Sequence, residues 1–194
     1  MFNYLFVILI VVAIFIYFYS KKYSIRIRNQ SGYLHSLPQY YGFYASLWFL
    51  IPSLIIISLY LIFAESFVTS TLIKSLPNDI KNLSVNELNL VVNDIKNLAV
   101  GNIANSSSFI GINKAANFYN KQYELIDKVV FYSSLIIGLL TFTYAYKTIS
   151  SSYRARNFIE SAIHILLFGS AVIAIFVTAG ILLSVLFEAL RFLM

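Results

Sequence analysis

Four runs of the chain carry no Asp, Glu, Lys or Arg and are long enough to cross a bilayer. They are Met1 to Ser20, a span within Ser36 to Ala64 whose most apolar part is Phe43 to Phe63, Val129 to Tyr146, and Ser161 to Phe187. A hydrocarbon core about 30 Å thick is crossed by about 20 helical residues. No water in that core can satisfy a bare amide, so each span must bond its own backbone, and a helix is the expected form. The alternating polar and apolar pattern of a barrel strand is absent. Composition agrees, with 59% hydrophobic and 11% charged residues against about 25% charged in a soluble domain. A soluble globule of this size could not hide so much apolar surface, and disorder needs the opposite balance. The expected fold class is an all-α integral membrane protein, with four transmembrane helices and a mainly helical periplasmic segment between spans two and three.

The first span lacks a basic start and a small-residue cleavage pattern before Lys21, so it reads as an uncleaved anchor rather than a signal peptide. Orientation follows from Lys and Arg. The loop after span one carries Lys21, Lys22, Arg26 and Arg28, with no acid before Glu65. The loop after span three carries Lys147, Arg154 and Arg156 before Glu160. Residues 65–128 hold six lysines against six acids and no arginine. Both arginine-bearing loops are therefore expected in the cytoplasm, with the N-terminus and the middle segment outside. The expected organisation is 1–64, two spans joined by a basic cytoplasmic loop 20–42; 65–128, the periplasmic segment; 129–160, span three and a second basic loop; and 161–194, span four. The net charge of +6 is explained by this topology, so no nucleic-acid partner is expected. Tyr17, Tyr19 and Tyr23, then Tyr40, Tyr41, Tyr44 and Trp48, then Tyr144 and Tyr146 border the inner span ends and read as headgroup-level anchors.

In the outer segment, Ser84-Val85-Asn86-Glu87 has the form of a capping box. Val85, Leu88, Val91, Val92, Ile95, Leu98 and Ala99 then recur at helical spacing before Gly101, which predicts an amphipathic helix over 85–100 with Asn89, Asn93, Lys96 and Asn97 on its wetter side. Pro77 stops any extension of span two, Asn105–Ser108 is expected as loop, and a second helix is expected from near Asn113 into span three. These helices are expected to pack on each other or lie along the outer leaflet.

Nothing in the sequence points to catalysis. There is no cysteine, and no phosphate-binding loop, HExxH or GxSxG. His35 and His164 each read as an interfacial or packed polar residue. Glu65, Glu160 and Glu188 lie at span ends, where solvation is cheap, and Asp79, Glu87 and Asp94 read as solvated surface. No catalytic, cofactor-binding or metal-ligating residue is assigned, and no cofactor is expected. Gly169, Ala171, Ala174, Ala179 and Gly180 are small residues of span four, expected to let neighbouring helices pack closely.

Three stretches carry a resemblance: Gly32 to Trp48 (GYLHSLPQYYGFYASLW), Leu88 to Gly101 (LNLVVNDIKNLAVG) and Gly180 to Phe192 (GILLSVLFEALRF). In this order and spacing they resemble the N-terminal extension of PstC-type phosphate ABC transporter permeases, the third being similar to the start of the transport domain. The resemblance implies a permease component of a phosphate importer in the bacterial inner membrane. Its implied partners are a second permease subunit, separate ATP-binding cassette ATPase subunits, a periplasmic phosphate-binding protein and membrane lipids. Hydrolysis of ATP would then lie on another subunit. The rest of that transport domain does not follow in this chain, and a truncated gene model, half of a split gene and a free-standing extension are all open. The alternative reading is a stand-alone membrane sensor or accessory protein that binds a partner through its periplasmic helices.

Overall fold

The computed structural model describes residues 2–101 and 111–193. They form α1 (Phe2–Ser31), α2 (Pro38–Ser75), α3 (Asn78–Lys81), α4 (Val85–Ala99), α5 (Ile112–Thr148) and α6 (Ala155–Leu193), with no strand among the described residues. Helices α1, α2, α5 and α6 are long and apolar enough to cross a membrane. The chain is an all-α membrane protein. The loop expected at Asn105–Ser108 lies outside the described residues.

Each spanning helix outruns its uncharged run. At 1.5 Å per residue the 30 residues of α1 rise about 45 Å and the 38 of α2 about 57 Å, against a core of about 30 Å. Lys21 and Lys22 end the apolar run, yet they are good helix formers and α1 continues through them. It stops at Gly32, whose φ of +76° suits a residue without Cβ. The Gly32 amide donates to Arg28 O at 2.9 Å, as the last carbonyls of a helix require. Helix α2 opens on Pro38, favourable at a first helical position, and ends just before Leu76-Pro77. The capping box forms: Glu87 N–H donates to Ser84 Oγ at 3.4 Å, and Ser84 N–H donates to Glu87 Oε2 at 3.1 Å. The helix expected near Asn113 begins at Ile112 and runs unbroken into span three. The one-turn α3 was not expected.

Contacts divide the chain into two compact units, Met1–Phe15 with Leu47–Tyr144, and Ile16–Ser46 with Ala145–Met194. In the first, the extensions of α2 and α5 beyond their apolar runs build a core with α3 and α4. Val68, Leu72 and Leu76 form one stripe four residues apart, closed by Ile80, Val91, Val92, Ile95, Ala116 and Tyr119. The helices between spans two and three thus pack on each other. Two expectations for α4 are corrected. Val85, placed on the apolar face, is 75% exposed because it sits in the first turn, ahead of the contact with the other helices. Asp94, read as solvated, is buried at 6% exposure beside Ile95, since α4 buries both flanks of its Val91–Ile95 stretch.

In the second unit, Tyr41 and Tyr44 are buried, not interfacial anchors. Their rings meet the 149–158 stretch instead of headgroups, because Tyr44 packs against Tyr153 with ring centroids 4.9 Å apart and edge-on against Phe158. The close packing expected of the small residues of α6 is not found either. A Cβ at Gly169 or Gly180 would meet nothing within 4 Å, and the apolar stretch of α6 is unburied among the described residues.

Candidate functional site

Two polar constructions are built into this apolar chain. The first, in the Leu47–Tyr144 unit, begins with Pro52 inside α2. Proline has no amide hydrogen, so the carbonyl four residues earlier, that of Trp48, loses its intrahelical donor. Thr141 of α5 supplies one: its hydroxyl donates to Trp48 O at 2.6 Å. One turn further along α2, the Ser53 hydroxyl is 2.9 Å from Ser134 O and 2.8 Å from Phe49 O. Gly138, between Ser134 and Thr141 on α5, lets the helices approach. A Cβ there would lie 2.5 Å from Ser53 Oγ and 2.9 Å from the Phe49 ring. Ser53, Ser134 and Phe49 are fully buried. Sequence reading missed this lock, although Pro52 in mid-span was its signal, since a freed carbonyl in an apolar setting demands a donor from a neighbouring span.

Above the lock, Tyr60 donates to Asp127. Further along α2, Glu65, exposed as its place at a span end suggests, accepts from Lys96 Nζ of α4 at 2.8 Å, a surface pair between the two helices. Ser66, Thr69 and Ser70 line a shallow groove of about 380 Å³ beside this pair. Its hydroxyls, one lysine and one carboxylate offer both donors and acceptors at near-neutral net charge. Outside the spans, hydrogen bonds from the Ser84 hydroxyl and amide hold the Glu87 carboxyl below its ordinary range.

The second construction, in the Ile16–Ser46 and Ala145–Met194 unit, joins the two basic loops. His35 N–H donates to Ser151 O at 2.9 Å, and Arg156 N–H donates to Ser36 Oγ at 3.2 Å. The Tyr41 hydroxyl donates to Tyr153 O at 2.7 Å. Gly42 lies so close to α1 that a Cβ would sit 2.6 Å from the Tyr17 ring. The two loops expected on one face of the membrane are therefore bonded to each other. Seven Lys and Arg with one acid, Glu160, belong to this end, and Glu160 is engaged by Arg156. His35 contributes its backbone and its side chain is exposed; His164 is exposed on α6, and the structure does not bring the two histidines together. Among the described residues no group of three His, Asp or Glu converges to hold a metal.

A four-span, all-helical membrane protein with one strongly basic end and a packed segment between spans two and three is the class these features define. A family model described as phosphate ATP-binding cassette transporter matches residues 6–177. The chain belongs to this phosphate ATP-binding cassette transporter family, which makes it a multi-pass membrane component of a transport system. No curated protein and no solved structure gives a significant match.

Proposed function

We propose that the chain is the N-terminal membrane region of a PstC-type permease subunit of a phosphate importer, serving assembly or regulation of the complex. The observation that carries this is the family match, which runs through α1, α2, α4 and α5 and into α6. In this reading the membrane is the bacterial inner membrane, and the N-terminus and the α3–α4 segment face the periplasm. The charge asymmetry supports that orientation. The partners are a second permease subunit, ATPase subunits below the basic end and a phosphate-binding protein above the α3–α4 segment. Domain organisation follows the same scheme: spans one and two in 1–64, the outer segment in 65–128, span three with its basic loop in 129–160 and span four from 161.

The test is affinity purification of the tagged chain from its native membrane. Recovery of an ATP-binding cassette ATPase and a further permease subunit in stoichiometric amounts is the expected result; recovery of neither refutes the reading. The chain alone in proteoliposomes should neither take up phosphate nor hydrolyse ATP, and either activity would overturn the assignment. Single cysteines report orientation. Asn82 should react with an impermeant reagent from outside and Ser31 and Ser151 should not; external labelling at Ser151 reverses the topology. A second reading, an accessory protein that docks a partner on its outer helices, is favoured by the exposure of Leu83, Val85, Leu90 and Val100 around α4. Co-purification of a periplasmic protein without any ATPase would select it.

A further inference from the structure

The end of α1 and the end of α5 bring aromatic and cationic side chains together where the apolar runs give way to charge. Tyr19, Lys22, Tyr23 and Arg26 stand at i, i+3, i+4 and i+7, which is one face of α1. Tyr146, in the last turn and a half of α5, lies against this face. Its ring centroid is 4.5 Å from that of Tyr23 and 5.6 Å from that of Tyr19. Arg26 belongs to the same face as the two tyrosines that Tyr146 meets. Lys22, Arg26 and the neighbouring Lys147 are exposed, and none is ion-paired among the described residues. Positive-inside sorting and the aromatic belt account for basic and aromatic residues at this level, but not for rings from two helices meeting beneath the cations.

We infer that Tyr19, Tyr23 and Tyr146 with Lys22, Arg26 and Lys147 form a binding site for the phosphate group of an anionic phospholipid. The level of the site selects the ligand. Ser20 ends the uncharged run, so Tyr19 and Tyr23 bracket the headgroup zone, where amphipathic rings sit and a lipid phosphate is always at hand. Phe18, exposed to lipid on the adjoining face, continues the surface toward the acyl chains. No carboxylate occurs in residues 16–46 or 145–159 to repel an anion. A guanidinium and an ammonium supply charge-assisted hydrogen bonds to phosphate oxygens, and the packed rings hold the hydroxyls in place. This inference does not depend on the transport reading or on which leaflet the site occupies.

Native mass spectrometry of the full chain tests it, with phosphatidylglycerol and phosphatidylcholine offered in equal amounts. The wild type should retain phosphatidylglycerol preferentially. Arg26→Gln or Lys22→Gln should each lower that retention about fivefold, the effect of one basic contact at a membrane surface. Tyr23→Phe, which keeps the ring and removes the hydroxyl, should lower it by a smaller factor. Arg154→Gln, an equal loss of charge at a residue outside the site, should change it less than about twofold. Equal losses in Arg154→Gln and Arg26→Gln would show diffuse attraction to the basic end and overturn the site. Displacement of the bound lipid by millimolar inorganic phosphate would assign the site to the free anion and overturn the lipid assignment. Retention unaltered in both Arg26→Gln and Lys22→Gln refutes it outright.

Discussion

The lock at Pro52 makes a quantitative prediction by double-mutant cycle. Thr141→Val keeps the side-chain shape and removes the donor that reaches Trp48 O at 2.6 Å. A buried acceptor left without a donor costs about 1–3 kcal/mol, whereas hydrogen bonds between membrane helices average about 0.6 kcal/mol and reach about 1.7. This bond belongs at the upper end of that membrane range, because Pro52 denies the carbonyl any donor from its own helix. The Ile137 and Gly138 carbonyls, which the same hydroxyl also approaches at 3.0 and 2.9 Å, lose little, since each retains its helical amide. The expected cost of Thr141→Val is therefore about 1–1.5 kcal/mol. In a Pro52→Ala background the restored amide serves Trp48 O, and Thr141→Val should cost less than about 0.3 kcal/mol. The coupling is then about 1 kcal/mol. Pro52→Ala alone is uninformative, because gained helix propensity and altered packing act together. Unfolding from mild detergent into dodecyl sulfate can be followed by the fluorescence of Trp48, the one tryptophan of the chain. A coupling within about 0.3 kcal/mol of zero, or equal damage from Thr141→Ser and Thr141→Val, would refute the reasoning.

Gly138→Ala should destabilise the same helix pair by about 1–2 kcal/mol, the overpacking cost exceeding the helix propensity that Ala adds. Unchanged or raised resistance to dodecyl sulfate would mean that α2 and α5 part easily. In the outer core, Ile95→Ala should cost about 2–5 kcal/mol and speed hydrogen exchange throughout α4. Leu90→Ala, at a residue 55% exposed, should cost less than about 0.5 kcal/mol; similar effects from the two would deny that core. The Ser84 bonds lower the Glu87 pKa in the folded state, so their contribution is whole above the ordinary value of 4.5. It fades as pH falls through the lower folded value. Protection of the first-turn amides of α4, corrected for intrinsic exchange, should therefore fall on acidification below about pH 4.5. Glu87→Gln should remove that dependence, and an unaltered dependence would place its origin elsewhere.

Spans, capping box and the helix entering span three were legible because each rests on local chemistry: missing charge, a side chain reaching its own backbone, a proline that stops a helix. Helix ends were less legible, since the lysines after Ser20 close an apolar run without closing a helix. Tertiary roles were least legible. Tyr41 and Tyr44 carry the interfacial composition of an aromatic belt, and nothing local reveals that loop carbonyls and rings from residues more than 100 positions away will cover them. Asp94 follows the polar pattern of a solvated face, yet its neighbours Val92 and Ile95 draw that flank into the core. Thr141 and Ser134 look like ordinary small polar residues until Pro52 is recognised as leaving a carbonyl that must be met.

Helix α6 and the α2–α5 pair differ in the polar demands they make on a neighbour. Apolar area by itself gives two spans little reason to associate, because hydrocarbon solvates Leu and Ile about as well as another helix would. Helix α6 has the apolar surface and the small residues of a packing helix, yet it stays bare. Its hydroxyls make no demand on a neighbour: Ser170 donates to Leu166 O and Thr178 to Ala174 O, each at 2.8 Å within its own helix. In α2 the proline creates a demand that α2 cannot meet, and α5 meets it with Thr141 while Gly138 grants the approach. Between α2 and α5, polar demand inside the span thus adds to packing and fixes which residues of the two helices face each other.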